Sequence, residues 1–249
     1  MDRFVLTDAQ WAKMEPLCLG KRGDPGRSGK DNRRFVEAVL WIARTGSPWR
    51  HLPPSLGHWN SAFTRFRDWT RRVSKRLFDA VFRRSRHGVR DCRRHYRQGP
   101  PPRTGRKRGT QSQAIGRSKG GMTTKILALT DALGSLVRFV LLPGQRFDTV
   151  GVPPLIDGLA FDALIADKAF DSNVIIAELD ARGAKAVISQ HPRRAQPLAI
   201  DEEMYKWRHL IENFFVKLKE FKRIAMRADK TDQSFASMSH LTAAVINSR

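Results

Sequence analysis

The chain has 249 residues, of which 41% are hydrophobic, and it carries 46 Lys and Arg against 24 Asp and Glu, for a formal net charge of +22. This length and apolar content are those of a globular protein and exclude intrinsic disorder. The charge predicts a polyanionic partner. Double-stranded DNA is the favoured one, because Lys and Arg release counterions from phosphates on binding.

Neither a membrane nor a secretory route is indicated. No run of the sequence is apolar enough to cross a bilayer, and the first residues, MDRFVLTDAQW, contain no charged-then-apolar leader. The two cysteines, Cys18 and Cys92, have the spacing of neither a metal site nor a disulfide framework. We therefore expect a cytoplasmic, nucleoid-associated protein with no membrane contact.

Residues 1–82 are predicted to form a helical domain. Thr7 and Gln10 have the spacing of a capping box that opens a first helix. A second helix is expected from about Asp31 to Thr45, and Gly46 is expected to end it.

A third helix is expected after the Pro53–Pro54 break, because aromatic residues recur at helical spacing between Trp59 and Val73. Its other side is basic, with Arg65, Arg67, Arg71 and Arg72. A trihelical unit with a basic last helix is what a helix-turn-helix domain needs to lie across phosphates. We predict that these arginines contact DNA; the alternative is that they are only solvated.

From about Gly121 the pattern changes to strands and helices. MTTKILALT and LVRFVLL predict a hairpin around the turn at Asp131, and the later apolar runs ALIAD and KAVIS alternate with helices. Antiparallel strands followed by strand–helix alternation indicate a mixed sheet covered by helices. The predicted class is therefore α+β, with a helical, helix-turn-helix-like N-terminal domain and a mixed-sheet domain over residues 113–249.

A polar set lies at helical spacing in the stretch YKWRHLIENFFVKLK. The set is Tyr205, Arg208, Glu212 and Lys219. On a helix these four side chains point within roughly 60° of one another. An apolar set that runs from Trp207 to Phe221 centres about 140° away. A carboxylate flanked by two cations and a phenol suits a divalent metal and a phosphodiester. The alternative is a solvated face with an ion pair between Arg208 and Glu212.

Asp167 is a second candidate metal ligand, because it ends the apolar strand ALIAD at the edge where ligands collect in α/β folds. Asp171 is expected to be the N-cap of the next helix instead. Carboxylates from separate elements, such as Asp167 and Glu212, can share divalent metals that clamp the oxygens of a phosphoryl displacement. Mg²⁺ is the natural metal, with Mn²⁺ as the alternative, since the ligands are hard oxygens.

The spacing Y-(2)-R-(3)-E-(6)-K resembles the signature of bacterial insertion-sequence DDE transposases, in particular insertion-sequence family five. Three other stretches carry the same resemblance. They are QAIGRSKGGMTTKILALTDALG, the motif LIADKAFD, and the N-terminal run from LTDAQW to FRDW. The resemblance covers about residues 5–82 and 110–249.

This resemblance implies a ribonuclease H-like catalytic domain that cleaves the terminal repeats of a mobile element with Mg²⁺ and joins them to target DNA. Asp167 would be the second acid and Glu212 the third. Arg208, Lys219 and Tyr205 would hold the phosphate and the terminal base at the DNA end. A homodimer is compatible with the family.

Residues 83–108 depart from the family pattern, in which a strand with the first Asp, in a motif such as I-D-A-T, precedes the hairpin. Arg and Lys account for 11 of these 26 residues, and Asp91 is the one acidic residue. We therefore expect this piece to form no central buried strand. The plain interpretation of residues 83–112 is a flexible basic linker that touches DNA.

A sharper interpretation follows from the genetic code. Asp91 to Gly99 can be written in codons that, one base further along, read Ile-Val-Asp-Ala-Thr-Ile-Val-Lys, which resembles the family's first-Asp strand. We hypothesise that residues 83–108 are read out of frame between two compensating shifts. The codon of the lost Asp would straddle Arg93 and Arg94. Asp131 is a weak substitute, since turn chemistry explains it, and Asp91 would pair with the surrounding arginines.

The predicted function is that of an insertion-sequence transposase, impaired in this copy because one of three acids is missing. The alternative is a catalytically inactive DNA-binding remnant that occupies the terminal repeats through residues 1–80 and represses transposition. A stand-alone nuclease is a third interpretation, which the Tyr205–Lys219 set and the helical N-terminal domain disfavour.

Overall fold

The computed structural model describes residues 6–20, 24, 29, 31–82, 89–98 and 113–248. Contacts divide the chain into two compact units. We call Met1–Arg84 with Lys217–Arg249 the helical unit, and Ser85–Val216 the sheet unit. The C-terminal segment thus groups with the N-terminal helices, whereas the sequence pattern assigned all of residues 113–249 to the second domain.

The elements follow one another along the chain as helices, then strands, then alternating strands and helices. The helices are α1 Asp8–Met14, α2 Asn32–Thr45, α3 Trp59–Arg72, α4 Ser74–Phe82, α5 Val152–Ile156, α6 Asn173–Ala181, α7 Glu202–Tyr205, α8 His209–Lys219, α9 Lys222–Ala225 and α10 Asp232–Asn247. The strands are β1 Val89–Gln98, β2 Gly116–Ser118, β3 Gly121–Asp131, β4 Leu136–Pro143, β5 Ala163–Ala166 and β6 Lys185–Ile188. Within the described ranges, no helix is long and apolar enough to cross a bilayer.

Local signals set the ends of the N-terminal helices as predicted. Thr7 and Gln10 form the capping box of α1, in which each side chain bonds the other residue's backbone amide. Asp31 caps α2 by accepting a hydrogen bond from the amide of Arg34, and Gly46 ends that helix in the left-handed conformation at φ 72°. The predicted helical character of the N-terminal region is confirmed.

The core of the helical unit forms around α10, which contacts α2, α3 and α4. This helix is buried along most of its length because its apolar residues are not confined to one stripe. Its fully or almost fully buried side chains include Phe235, Met238, Leu241 and Val245. The C-terminal helix therefore completes the core of the N-terminal helices.

The sheet has the strand order β2–β3–β1–β5–β6, and β4 also pairs with β3. β3 is antiparallel to β1, β2 and β4, whereas β5 is parallel to both β1 and β6. An antiparallel part that continues into parallel strands confirms the predicted α+β class. This is the ribonuclease H-like sheet that the sequence resemblance implied.

The expectation that residues 83–108 form no central strand is wrong for residues 89–98. β1 pairs with β3 from Arg90 opposite Asp131 to Gln98 opposite Thr123. On its other side it pairs with β5, and Cys92 is buried there. Backbone pairing on both sides satisfies the amides and carbonyls whatever the side chains, so tertiary context overrides a low strand propensity.

His240 of α10 provides a pH-sensitive test of the helical core. Its ring lies 5.2 Å from that of Phe78. Burial, with a smaller contribution from nearby Lys75, lowers the pKa of His240 to about 4, although Asp79 and the backbone of Ala236 oppose the shift. The unfolded chain takes up the proton near pH 6.5, so the free energy of unfolding should fall between about pH 6.5 and 4, by about 3 kcal/mol.

The variant His240→Gln removes this titration while keeping a polar side chain. Urea unfolding of both proteins at pH 7 and pH 4.5 measures the effect. The parent should lose about 2 kcal/mol or more beyond what the variant loses. Equal losses in the two proteins would show that His240 is not held neutral.

Candidate active site

Asp167 directly follows β5 and begins a 3₁₀ turn over Lys168–Phe170. Its Oδ1 accepts a hydrogen bond from the Ala169 amide at 2.8 Å, and Phe170 is fully buried below the turn. Side chains alternate between the two faces of a strand, so Asp167 belongs to the same face as Ile165. The carboxylate is therefore held at the carboxyl end of a buried parallel strand while it stays partly exposed.

The same sheet face carries the start of the Tyr205–Lys219 stretch. Met204 and Tyr205 of α7 pack against Ala163, Ile165 and Val187. Because Ile165 and Asp167 share this face, α7 leads the polar set out from the side of the sheet on which Asp167 lies.

α7 is fastened to the sheet at its first turn. Asp201 caps the helix by accepting a hydrogen bond from the Met204 amide at 2.9 Å. Its other oxygen accepts one from the Lys185 ammonium, at the start of β6, at 2.7 Å. A helix end joined in this way to a strand has a fixed entry point for the residues that follow.

Tyr205, Arg208 and Glu212 lie in contact with one another, and the ion pair of Arg208 with Glu212 is the one that the alternative interpretation, a solvated face, also expects. The Arg208 guanidinium lies 5.7 Å from the centroid of the Tyr205 ring, and its Nη1 lies 2.8 Å from Oε1 of Glu212. The side chains of Arg208 and Glu212 are 31% and 37% exposed. A half-exposed pair of this kind contributes about 1 kcal/mol or less, so Glu212 can exchange it for another partner.

The apolar face of this stretch follows the prediction except at Trp207 and at Leu210, which is only partly buried. Ile211, Phe214, Leu218 and Phe221 are buried. Trp207, which was predicted to share that face, is 44% exposed, because the 3₁₀ turn Lys206–Arg208 interrupts the α-helical spacing there. Lys219 is exposed at the end of α8, two helical turns after Glu212.

Asp171 does not cap the next helix as predicted. The N-cap of α6 is Ser172. Oδ2 of Asp171 instead accepts a hydrogen bond from the His191 amide at 2.8 Å, and its carboxylate pairs with Arg194. These two side chains are only 5% and 14% exposed. Asp171 therefore fastens the loop after β6 to the end of β5, a role that local sequence could not indicate.

The register of β1 and β5 identifies the residue beside Asp167. Cys92 pairs with Ala166, so the next residue of β1, Arg93, is the register neighbour of Asp167. Asp91 pairs with Ile165 and lies about 7 Å further back along the strand. The residue that continues the register beside Asp167 is thus an arginine, and the nearest acidic residue of β1 is Asp91.

Asp131 is the other acidic residue of the sheet that the sequence offered, as a weak substitute for the first Asp. It pairs with Arg90, three positions back from Arg93 along β1. Its Oδ1 accepts hydrogen bonds from the amides of Leu133 and Ser135, which is the turn chemistry expected for it. Asp131 therefore belongs to the β3–β4 turn and not to the surroundings of Asp167.

The candidate metal ligands are two carboxylates, those of Asp167 and Glu212. Among the described residues, no group of three His, Cys, Asp or Glu side chains could hold a metal ion. Asp167 and Glu212 supply carboxylate oxygens of the kind that Mg²⁺ prefers, and Mg²⁺ is commonly held by one or two carboxylates together with substrate phosphates. The two carboxylates thus have the chemistry that Mg²⁺ requires, and they are fewer than three.

The predicted DNA-contacting arginines of α3 fall into different environments. Arg67 and Arg71 are exposed, whereas Arg65 is half-buried. Arg65 donates a hydrogen bond to the Leu19 carbonyl at 3.0 Å, and its guanidinium lies 4.3 Å from the Phe35 ring. Burial lowers the pKa of Arg65 from its usual value. This side chain holds α3 to its neighbours and is not free to reach DNA.

Arg72 is the last residue of α3, and its side chain lies outside the described part of the structure. Its predicted contact with DNA therefore stays a prediction.

Comparison with known proteins identifies the family to which the chain belongs. Residues 92–247 match the family described as "Transposase DDE domain", and residues 6–82 match "Putative transposase of IS4/5 family". The sheet topology and these matches define a transposase with a DDE-type catalytic domain. The chain belongs to the insertion-sequence transposases of the IS4/5 family.

Individual relatives agree with this assignment. The chain is 39% identical over 127 residues to the "Putative transposase for insertion sequence element IS6501" of Brucella ovis, a match that spans 50% of this chain and 98% of that protein.

Two solved structures are distantly similar. The piggyBac transposase synaptic complex with hairpin DNA has a TM-score of 0.38 and 13% identity, over 78% of this chain and 51% of that one. The mariner Mos1 paired end complex with Mg has a TM-score of 0.32 and 12% identity, over 95% and 83%. Scores this low transfer no detail of either complex.

The two aspartates that follow β5 should differ in what they contribute to stability. Asp171→Asn leaves Arg194 buried without its counter-charge and should lower the free energy of unfolding by about 3 kcal/mol. Asp167→Asn keeps a capping side chain at a partly exposed position and should cost less than about 1 kcal/mol. Urea unfolding measures both, and similar costs for the two variants would contradict this division.

Proposed function

We propose that this transposase binds the terminal repeats of its element as double-stranded DNA and that its catalytic site is incomplete at one position. The observation that carries the proposal is the register of β1 and β5, in which Arg93 neighbours Asp167. The family supports transposition in general; the state of this copy follows from its own residues. A homodimer and a cytoplasmic, nucleoid-associated location stay predictions.

Asp167 and Glu212 would hold Mg²⁺, or Mn²⁺ in its place. A bound ion of this kind activates water and stabilises the charge that develops on phosphoryl oxygens. Both carboxylates are partly exposed, and neither is locked in a buried ion pair. Partial exposure lets a cation that arrives with DNA reach both carboxylates.

Arg208 orients Glu212 and would present its remaining N–H groups to a DNA phosphate. Its guanidinium lies between the Tyr205 ring and the Glu212 carboxylate, which fixes the plane of the group. Tyr205 is itself packed on the sheet, so the position of Arg208 is tied to the strand that ends at Asp167. Lys219 would add a more distant charge on the same helix.

An arginine at position 93 supplies no metal ligand and carries a positive charge. A guanidinium has no lone pair to give a metal, and its positive charge opposes a divalent cation nearby. The register selects position 93, and the codon of the hypothesised lost Asp straddles positions 93 and 94. Two independent arguments therefore point to the same place in the chain.

Restoring an acid at this place should restore cleavage. We expect Arg93→Asp to raise Mg²⁺-dependent cleavage of the element's terminal repeats at least about 100-fold over the parent, because a shared metal ligand contributes several kcal/mol to the transition state. A gel assay on labelled terminal-repeat DNA measures this rate.

Arg97→Asp is the matched control, since it makes the same charge change four residues further along β1, opposite Thr124. It should leave cleavage at the parent level. Robust cleavage by the parent, or equal rates in the two variants, would contradict the proposal.

Repression of transposition is the second candidate function. α1, α2 and α10 of the helical unit are capped by side chains, and its apolar side chains are buried without any metal ligand taking part. A copy that binds the ends without cutting them would compete with active copies. Binding to terminal repeats should then survive chelation of divalent metals.

Variants of the arginines in α3 should distinguish the side chains that contact DNA from the one that packs within the protein. Arg67→Gln and Arg71→Gln should each weaken binding at all sequences and lower the slope of log K against log salt by about 1. Arg65→Gln should instead lower the free energy of unfolding by about 1 to 2 kcal/mol, since it loses a hydrogen bond and a ring contact. Fluorescence anisotropy against NaCl concentration, with urea unfolding, tests both. A reduced slope in Arg65→Gln would contradict the assignment.

A further inference from the structure

A groove of about 610 Å³ lies in the sheet unit where β2, the start of β3 and the end of β4 meet. Its rim carries the exposed cations Arg117 and Arg146 and the amides Gln113 and Gln145. Phe147 lies beside them with 78% of its surface exposed. None of the described lining residues is acidic. The groove therefore offers positive charge, amide groups and one aromatic face.

Phe147 is held outward by a tightly fixed loop. Lys125 is buried, lies 3.1 Å from Oδ1 of Asp148, and also donates a hydrogen bond to the carbonyl of Arg146. On the other side of Phe147, the Gly144 amide donates to the Thr123 carbonyl at 3.1 Å. The ring is thus exposed because the backbone on both sides of it is anchored.

Gly144 shows how closely this loop approaches β3. A Cβ atom at position 144 would lie 2.0 Å from Oγ1 of Thr123 and 2.9 Å from the Gly116 carbonyl oxygen. Only a glycine fits between the two strands here. The base of the groove is therefore preorganised before any ligand arrives.

The strand pairing places the groove at the same end of the sheet as the carboxyl end of β5, where Asp167 lies. Arg93, the neighbour of Asp167, pairs with Ala128, and Met122 of the groove lies six residues before Ala128 on β3. Six strand residues span about 20 Å. This is about the rise of six base pairs of DNA, so one DNA segment can reach both places.

We propose that this groove binds an unpaired nucleotide of DNA, with its base stacked on Phe147 and its phosphate held by Arg117 and Arg146. Aromatic rings accept any base because every base has a π-face, and guanidinium groups bind phosphate oxygens in pairs. Gln113 and Gln145 can donate to and accept from base edges. The inference rests on the proposed function, and it adds a single-strand contact about 20 Å from the acids.

The test compares single-stranded and duplex DNA with the full chain. Fluorescence anisotropy measures binding to a labelled 12-nucleotide oligo-dT and to a labelled terminal-repeat duplex. Phe147→Ala should weaken oligo-dT binding at least about fivefold, because loss of base stacking has that effect or more. Phe147→Trp should retain the affinity, since an indole also stacks. Duplex binding should change less than about twofold in both variants.

Val150→Ala is the matched control, because Val150 is exposed three residues further on and does not line the groove. It should leave both affinities unchanged. Arg146→Gln should weaken oligo-dT binding and reduce its dependence on salt, as loss of a phosphate contact does.

The outcomes separate this inference from the proposed function. If the parent binds the duplex and Phe147→Ala binds oligo-dT as well as the parent does, the groove proposal is overturned and the function stands. If the parent fails to bind the duplex while Phe147 still controls oligo-dT binding, the groove stands and the proposed function fails. If Phe147→Ala changes the sedimentation coefficient and not oligo-dT binding, the groove is a protein interface and the proposal is overturned.

Discussion

The pairing of β1 with both β3 and β5 is the constraint on which the rest of the sheet unit depends. β1 joins the antiparallel part of the sheet to the parallel part, and its register with β5 decides which residue neighbours Asp167. Unpaired backbone groups in the middle of a sheet are costly, so the strand forms although its sequence is rich in arginine. The fold of the sheet is thereby kept, and an arginine follows Cys92 in β1, next in register after the pair of Cys92 with Ala166.

The scaffold and the chemistry are therefore separable in this chain. Tyr205 packs on the face of the sheet to which Asp167 belongs, and Arg208 and Glu212 continue from it in contact. The buried pair of Asp171 with Arg194 fixes the loop that leads toward α7. We propose that a single change of residue type in β1 removes activity while these supporting contacts remain.

The sequence predicted those features whose causes are local. The capping box at Thr7, the glycine end of α2 and the contact of Arg208 with Glu212 all arise within a few residues. Features with distant causes were missed: Asp171 binds Arg194 across 23 residues, and β1 exists because of its two neighbouring strands. The assignment of the C-terminal helices to the helical unit was missed for the same reason. The spacing of apolar residues along a helix shows which face is buried but not which element covers that face.

The central claim is that the first acid of the site was lost from the β1 position beside Asp167 by an out-of-frame reading. The nucleotide sequence of codons 80–110 tests it most directly. We expect the codons of Asp91 to Gly99, read one base further along, to encode Ile-Val-Asp-Ala-Thr-Ile-Val-Lys, with the Asp codon straddling Arg93 and Arg94. Codons that encode no acidic residue at that place in either shifted frame would contradict the claim.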